Sequence, residues 1–145
     1  MQVSRRGKFN TLVQRNGSAV TAELYNCIVQ REPAGPSAGK PPGKTYATLD
    51  LTYARGAGIG VLRNVDARIR KEAAPEFSPL RPDDSLVVKV PANGVSYETR
   101  EGLPSPPFAM SRGQSVDIVL KLGAYGSFGY CWLVHRIKPH LADEA

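Results

Sequence analysis

Apolar and polar residues alternate with a period of two along much of the chain, which is typical of half-buried β-strands. In the longest such segment an unbroken alternation puts Ile28 on one face and both Cys27 and Val29 on the other. The pair Asn16-Gly17 precedes this segment and tolerates the positive φ angles of a hairpin turn. The pattern predicts strands at residues 7–14, 19–30, 44–53, 85–90, 95–100, 115–122 and 129–138, with the fifth of these pairing back onto the fourth across a turn.

One segment has helical spacing instead. Val61, Leu62, Val65 and Ile69 recur on one face of a helix predicted over about residues 61–71. Elsewhere 14 Gly and 12 Pro interrupt the chain more often than a helical bundle tolerates. The expected fold is therefore mainly β, a small barrel or sandwich of about seven short strands with one inserted helix.

The length of 145 residues suits one domain with one hydrophobic core. We expect this domain to span residues 1–145, with short disordered termini and a flexible loop at residues 32–44, where Gly, Pro and Lys concentrate. Neither a membrane span nor a signal peptide is evident. Cys27 and Cys131 give no disulfide framework, so we expect two buried thiols in a reducing, intracellular compartment, with a single bridge as the alternative.

The net charge of +6 is unevenly distributed along the chain. Residues 1–60 contain eight Lys or Arg and three Asp or Glu, whereas residues 61–145 contain eleven and ten. Much of the excess lies beside glycine-rich and proline-rich segments. Such a distribution favours a surface that binds a polyanion, although a merely soluble surface is the simpler interpretation.

The segment AGKPPGKT, at residues 38–45, resembles a phosphate-binding loop. Such a loop works when a glycine-rich turn opens directly into a helix whose N-terminus holds the phosphates. Here the residues that follow have the period of a strand, and the two prolines inside the segment offer no N–H groups. We therefore predict no nucleotide site, and we interpret Lys40 and Lys44 as point charges in a basic hairpin loop.

Metal and catalytic chemistry find no support in the residue spacing. Cys131 and His135 lie four residues apart on a predicted strand, about 13 Å, which is too far for both to bind one zinc ion. The segment YGSFG around Ser127 lacks the first glycine of a nucleophile elbow. Asp83 and Asp84 are adjacent in a proline-rich loop, which is more typical of a turn than of an acid–base pair. We predict no enzyme, no metal site and no cofactor.

Aromatic residues interleaved with bases form the remaining pattern. Single strands of nucleic acid are held where a positive groove follows their backbone and aromatic rings stack on their bases. We expect Trp132 and Phe108 in the core instead. The candidate nucleic-acid-binding residues are Arg5, Arg6, Lys8, Arg31, Lys40, Lys44, Tyr46, Tyr53, Arg55, Tyr125 and Phe128.

The second half of the chain has a recurring order of motifs. It runs from a helix with VDARIRKE through FSPL, the strand SLVVKVP, the hairpin VSYETREG and RGQSVDIVLKL to an aromatic turn and GYCWLVHRIK. Over about residues 61–138 this order resembles the single-stranded DNA-binding proteins of large eukaryotic DNA viruses and, more distantly, of tailed phages. The matching positions are Leu86–Pro91, Gly113–Val116, Tyr125–Phe128 and Gly129–Ile137. The phage members have a long acidic C-terminal tail that LADEA does not match.

The resemblance implies an OB-fold barrel that coats single-stranded DNA without strong sequence preference during replication or recombination. The strand would cross the sheet face that carries Tyr46, with Lys40, Lys44, Arg55 and the turn at residues 123–129 along the groove. Homo-oligomers and replication proteins are further expected partners, no membrane is involved, and a viral protein would act in the host compartment of genome replication. Two alternatives stay open: a structural β-sandwich component of a viral or phage particle, and an RNA-binding module.

Overall fold

The computed structural model describes residues 20–33, 45–73, 78–91, 93–125 and 129–141. The strand predicted at residues 7–14, the turn that follows it and most of the loop at residues 32–44 lie outside these ranges. The described elements are, in chain order, β1 (Thr21–Arg31), β2 (Thr45–Asp50), α1 (Gly58–Ala73), β3 (Ser85–Val90), β4 (Ser96–Tyr97), β5 (Ser115–Tyr125) and β6 (Gly129–Pro139).

Five of these strands close into a barrel. The order is β1–β2–β3–β6–β5, and β5 returns to β1. Neighbouring strands are antiparallel except β3 and β6, which are parallel and pair at Lys89 and Leu133. This single parallel contact closes the sheet on itself, so the barrel strands have no long free edge. The predicted mainly β, OB-like barrel with one inserted helix is confirmed.

Alternate residues of the strands fill the barrel interior, as expected for a small barrel whose inside is a packed core. Trp132 has no exposed surface, as predicted for a core residue. Phe108 is half-buried, and its ring meets that of Tyr97 edge-on at a centroid distance of 5.1 Å. Among the described residues, the largest fully buried side chains are Trp132, Leu24, Leu49, Leu62, Leu86, Ile118, Leu120, Ile137, Val29, Val88 and Val116.

The unbroken alternation predicted for β1 is wrong at Asn26. Leu24 is buried, but the next buried positions are Cys27 and Val29. The register with β5 shifts between Leu24 and Cys27, and Asn26 has a φ of 63°. Such a β-bulge changes the face on which the following side chains lie, and Asn enters the left-handed region at lower cost than most residues. The Asp117 carboxylate holds the bulge by accepting a hydrogen bond from the Asn26 N–H at 3.0 Å.

β2 is shorter than predicted because Asp50 starts a turn. The Asp50 carboxylate accepts hydrogen bonds from the backbone N–H and the hydroxyl of Thr52 at 2.9 and 2.6 Å. This local bonding is a characteristic of Asp in turns and competes with further strand pairing. Tyr53 therefore lies in the turn and not on the strand.

The predicted pairing of residues 95–100 with residues 85–90 is also wrong. Both edges of β3 are already used, one by β2 and the other by β6. β4 instead pairs in parallel with β6, at Arg136 and Ile137. The Glu98 N–H continues this ladder by donating to the Ile137 carbonyl at 2.9 Å.

α1 packs on the barrel through the face that its sequence predicted. Leu62 and Ile69 are buried, and Val61 and Val65 are half-buried against the core. The helix begins close to β1, where a Cβ atom on Gly58 would lie 2.3 Å from the Glu23 carbonyl oxygen. Glycine is therefore required at this contact. No helix among the described residues is both long and apolar enough to span a membrane.

Asp66 links α1 to the barrel by a hydrogen bond. Its carboxylate accepts hydrogen bonds from the hydroxyls of Tyr130 on β6 and of Ser78, and a third from Arg70 Nε at 2.9 Å. Burial and then the hydrogen bond to Asp66 raise the pKa of Tyr130, so its hydroxyl stays protonated and remains a donor. These residues hold the helix in place.

Candidate nucleic-acid interface

One row of outward-facing side chains crosses all five barrel strands. Tyr46 on β2 pairs with Lys89 on β3, and Lys89 pairs with Leu133 on β6. Leu133 pairs with Lys121 on β5, and Lys121 pairs with Thr21 on β1. Directly paired residues of neighbouring strands lie on the same face of a sheet. Tyr46, Lys89, Leu133, Lys121 and Thr21 therefore form one continuous surface, here named the lysine row.

The lysine row lies on the outside of the barrel because the residues next to it in sequence point inward. Ala47, Val88 and Leu120 are buried, whereas 39% of the Tyr46 side chain is exposed. Adjacent strands are about 4.8 Å apart, so the backbones of the two lysines, with β6 between them, are roughly 10 Å apart. The row combines two ammonium groups with a phenol ring and contains no carboxylate.

Arg31 lies beside the Tyr46 end of the lysine row. It pairs with Thr48, which is two residues from Tyr46 on the same strand, so Arg31 and Tyr46 are diagonal neighbours about 7–8 Å apart. β1 ends at Arg31 and β2 begins at Thr45, directly after Lys44. The basic loop predicted at residues 32–44 therefore starts and finishes next to this end of the row.

Tyr53 and Arg55 lie elsewhere on the barrel. Arg55 exchanges two backbone hydrogen bonds of 2.8 Å with Tyr25, six residues before Arg31 on β1. Tyr53 is 70% exposed and Tyr25 is 41% exposed. These three residues, Tyr25, Tyr53 and Arg55, are here named the tyrosine patch. The structure thus divides the described candidates into two groups, with Arg31 and Tyr46 in one and Tyr53 and Arg55 in the other.

Carboxylates lie beside Tyr25 in the tyrosine patch. The Tyr25 hydroxyl donates to Glu23 at 3.1 Å, and this hydrogen bond is the main reason that the pKa of Tyr25 is raised. A shallow cavity of about 110 Å³ beside Tyr25 is lined by Glu23, Glu98 and Asp117 as well as by Arg136 and Lys138. Negative charge at this site opposes the approach of a phosphodiester backbone.

Several candidate residues cannot be compared with the two groups. Arg5, Arg6, Lys8, Lys40, Lys44 and Phe128 lie outside the described residues. Tyr125 ends β5, where its backbone pairs with Gly129, and its side chain is not described.

Lys89 and Lys121 were absent from the residues selected by sequence. The signal was present, because SLVVKV and SVDIVLKL each have one lysine at a position that alternates with apolar residues. Alternation alone shows that each lysine points outward. It does not show that both lie beside Leu133, because that depends on how β3, β5 and β6 pair.

Cys27 and Cys131 are buried and form no disulfide bond with each other, so the alternative of a Cys27–Cys131 bridge is not realised. Burial, and to a smaller extent the charge of Asp117, raises the pKa of the Cys27 thiol to about 12. Cys131 and His135 lie on β6, as the strand interpretation of this segment required. The described part of the chain contains no group of three or more His, Cys, Asp or Glu arranged to hold a metal ion.

A comparison with models of protein families finds no match, and a comparison with curated proteins finds none either. Among solved structures, the chain is similar to the crystal structure of gp2.5, a single-stranded DNA-binding protein encoded by bacteriophage T7. The TM-score is 0.48 and the sequence identity is 11%, over 87% of this chain and 88% of that chain. Membership of a viral family of single-stranded DNA-binding proteins stays a prediction.

Proposed function

We propose that this chain binds single-stranded DNA along the lysine row, without strong sequence preference and without catalysing a reaction. The observation that carries the proposal is the register by which Tyr46, Lys89, Leu133 and Lys121 become neighbours on one outer face. An aromatic ring that stacks on bases, beside ammonium groups that contact phosphates, is the combination by which proteins hold single strands.

The position of the row on the barrel supports the proposal. In OB-fold proteins, oligonucleotides bind on the face of the second and third strands and at the loops after the first and fourth strands. Tyr46 and Lys89 lie on β2 and β3 of this barrel. By chain order, the loop after β1 carries Lys40 and Lys44, and the turn between β5 and β6 carries Phe128. This correspondence is an analogy between folds.

The chemistry of the row favours binding that tolerates many sequences. Lysine ammonium groups act as point charges and contact phosphates without reading bases. A tyrosine ring stacks on any base, because every base has a π-face. The row has no Asn, Gln or Arg side chain that could read a base edge through two hydrogen bonds.

Two alternatives differ from the proposal in kind. A closed barrel is not a pair of packed sheets, so the β-sandwich that motivated a structural role in a particle is not the fold of this chain. RNA recognition uses the same stacking and phosphate contacts on single strands. We favour DNA because of the resemblance described from the sequence, and competition between the two nucleic acids decides the matter.

The experiment measures the fluorescence anisotropy of a rhodamine-labelled oligothymidylate of about 20 nucleotides. The label is placed on the DNA because Trp132 is fully buried and cannot stack on a base. We expect binding at low salt, with log affinity falling linearly as log salt rises. Unlabelled single-stranded DNA should compete better than duplex DNA or RNA of equal length. Absence of binding at low salt, or affinity that does not change with salt, contradicts the proposal.

Coating of long strands during replication or recombination, inside the cell, is part of the same proposal. Titration of a long single strand should then saturate at a constant number of nucleotides per chain. Homo-oligomers or replication proteins would be further partners of the chain bound to DNA. A single chain bound per long strand would contradict a coating role while leaving single-strand binding intact.

A further inference from the structure

His135 lies on the outer face of β6, close to the lysine row. Val119 of β5 pairs with Arg136 and Leu120 pairs with Val134, so His135 is an extra residue with no partner opposite it. A residue in such a bulge is displaced from the regular alternation of the strand. Val134 points into the core, whereas His135 is only half-buried. His135 therefore follows Leu133 of the row on the same strand and is accessible from outside.

The charges around His135 are mainly positive. Lys121 lies on β5, and Arg136 follows His135 on β6. Lys89 on β3 pairs with Leu133, two residues before His135. Two carboxylates face this part of β6. Glu98, after β4, is engaged by Arg136 Nε at 3.2 Å, and Glu23 on β1 pairs with Val119, which in turn pairs with Arg136. Partial burial, then Lys121 and Arg136, lower the pKa of His135 below its ordinary value, so the free protein has a neutral ring at neutral pH.

We propose that His135 is a phosphate contact that gains a proton when a phosphodiester strand occupies the lysine row. This inference rests on the proposed function and adds to it a residue and a pH dependence. A phosphate beside His135 supplies the negative charge that this site lacks, and the protonated ring can donate a hydrogen bond to a phosphate oxygen.

The sign of the effect follows from linkage. A nearby phosphate favours the charged form of the ring, so the pKa of His135 is higher in the complex than in the free protein. Between these two pKa values the complex holds more protons than the separate molecules. Affinity therefore rises as the pH falls through this window, whose lower end, the pKa of the free protein, lies below the ordinary histidine value. Above it the ring is neutral in both states, so proton uptake no longer contributes to the affinity.

The test compares anisotropy titrations of the oligothymidylate from about pH 8 to about pH 5 at constant ionic strength. We expect the affinity of the unaltered chain to rise about three- to tenfold, since a pKa shift of about half a unit to one unit corresponds to that factor. In His135→Gln this rise should be absent.

His140→Gln is the matched control, because these are the two histidines of the chain. His140 Nδ1 contacts the Asp117 carboxylate at 2.7 Å, and Asp117 lies four residues along β5 from Lys121. The proposal requires His140→Gln to keep the full pH-dependent rise. If His140→Gln loses the rise while His135→Gln keeps it, the assignment to His135 is wrong.

A second measurement follows the ring protons of both histidines by NMR in the unaltered chain, so it does not depend on how a variant folds. Spectra are recorded across the same pH range with and without the oligothymidylate. An upward shift of the His135 pKa on binding supports the proposal, and an unchanged or lower value overturns it. If no DNA binds at any pH, the proposed function itself fails, which is a different result from binding without proton uptake.

Discussion

The lysine row and the tyrosine patch both combine basic residues with exposed tyrosines, but their surroundings differ. In the lysine row, strand pairing places Tyr46 beside Lys89 and connects them through Leu133 to Lys121. In the tyrosine patch, Tyr25 bonds to Glu23, and the backbone of Arg55 is paired with β1. The first region brings two lysines and a tyrosine together on one outer face, whereas the second uses its polar groups to connect β1 to the segment that begins α1.

Under the proposed function, this difference means that an aromatic residue near a base does not by itself identify a nucleic-acid site. A binding surface needs bases on several strands whose register brings them together, without carboxylates between them. We therefore expect substitutions in the lysine row to change DNA affinity and leave folding nearly unaffected. Substitutions around the tyrosine patch should change the free energy of unfolding and leave DNA affinity nearly unaffected.

The largest expected effect is on stability, at the start of α1 next to the tyrosine patch. Gly58→Ala places a Cβ atom 2.3 Å from the Glu23 carbonyl oxygen, so backbone must move, and we expect a loss of about 3 kcal/mol in the free energy of unfolding. Urea denaturation measures this value. Gly60→Ala is the control, because among the described residues its added Cβ would meet no atom within 4 Å beyond the backbone of its own helix and its chain neighbours, and helix propensity should make it slightly stabilising. Equal effects of the two changes would contradict the close packing at Gly58.

The next effect is on affinity, in the lysine row. Reversal of both charges in Lys89→Glu with Lys121→Glu should weaken binding of the oligothymidylate about 100-fold at low salt, because attraction to phosphates becomes repulsion. The control pair, Lys71→Glu with Arg100→Glu, makes the same change in net charge at exposed positions of α1 and of the turn after β4. If both pairs weaken binding equally, overall charge controls the affinity and the lysine row is not a specific site.

A smaller effect separates the two kinds of exposed tyrosine. Tyr46→Ala should weaken binding about tenfold, which is the contribution of one base stacked on an aromatic ring. Tyr46→Phe keeps the ring and should bind within about twofold of the unaltered chain. Tyr53→Ala removes the more exposed ring, yet it should have no measurable effect on affinity. If Tyr53→Ala loses more DNA affinity than Tyr46→Ala, the binding site lies at the tyrosine patch and not at the lysine row.

The same contrast explains how much of the molecule the sequence predicted. The mainly β barrel, the helix face of Leu62 and Ile69 and the burial of Trp132 follow from local periodicity and composition, and all three are confirmed. The face change at Asn26 was missed because one residue with positive φ breaks the alternation. The partner of β4 was missed because it depends on which edge β6 occupies, and that is a property of the whole barrel.

The candidate site was predicted less completely for the same reason. Arg31 and Tyr46 are close in space because β1 and β2 are consecutive strands whose hairpin is easily inferred from the sequence. Lys89 and Lys121 are 32 positions apart in the sequence, and they flank the same residue of β6 because of barrel closure. Tyr53 and Arg55 were grouped with Tyr46 by their short separation in sequence. Between Tyr46 and Tyr53, the turn at Asp50 takes the chain away from the lysine row.

The smallest expected effect gives the sharpest comparison, because it uses two lysines on the same pair of strands. Lys121 belongs to the lysine row. Lys138 pairs with Asp117 near the tyrosine patch, and Asp117 lies four residues before Lys121 on β5. Lys121→Ala should lower affinity about threefold and reduce the slope of log affinity against log salt by about 0.7, the value for one lost phosphate contact on a single strand. Lys138→Ala removes the same charge and should leave the slope unchanged, since its neighbours include carboxylates that repel phosphate. If the two variants have equal slopes, the bound DNA does not follow the lysine row. A diffuse electrostatic field would respond to the loss of either lysine alike.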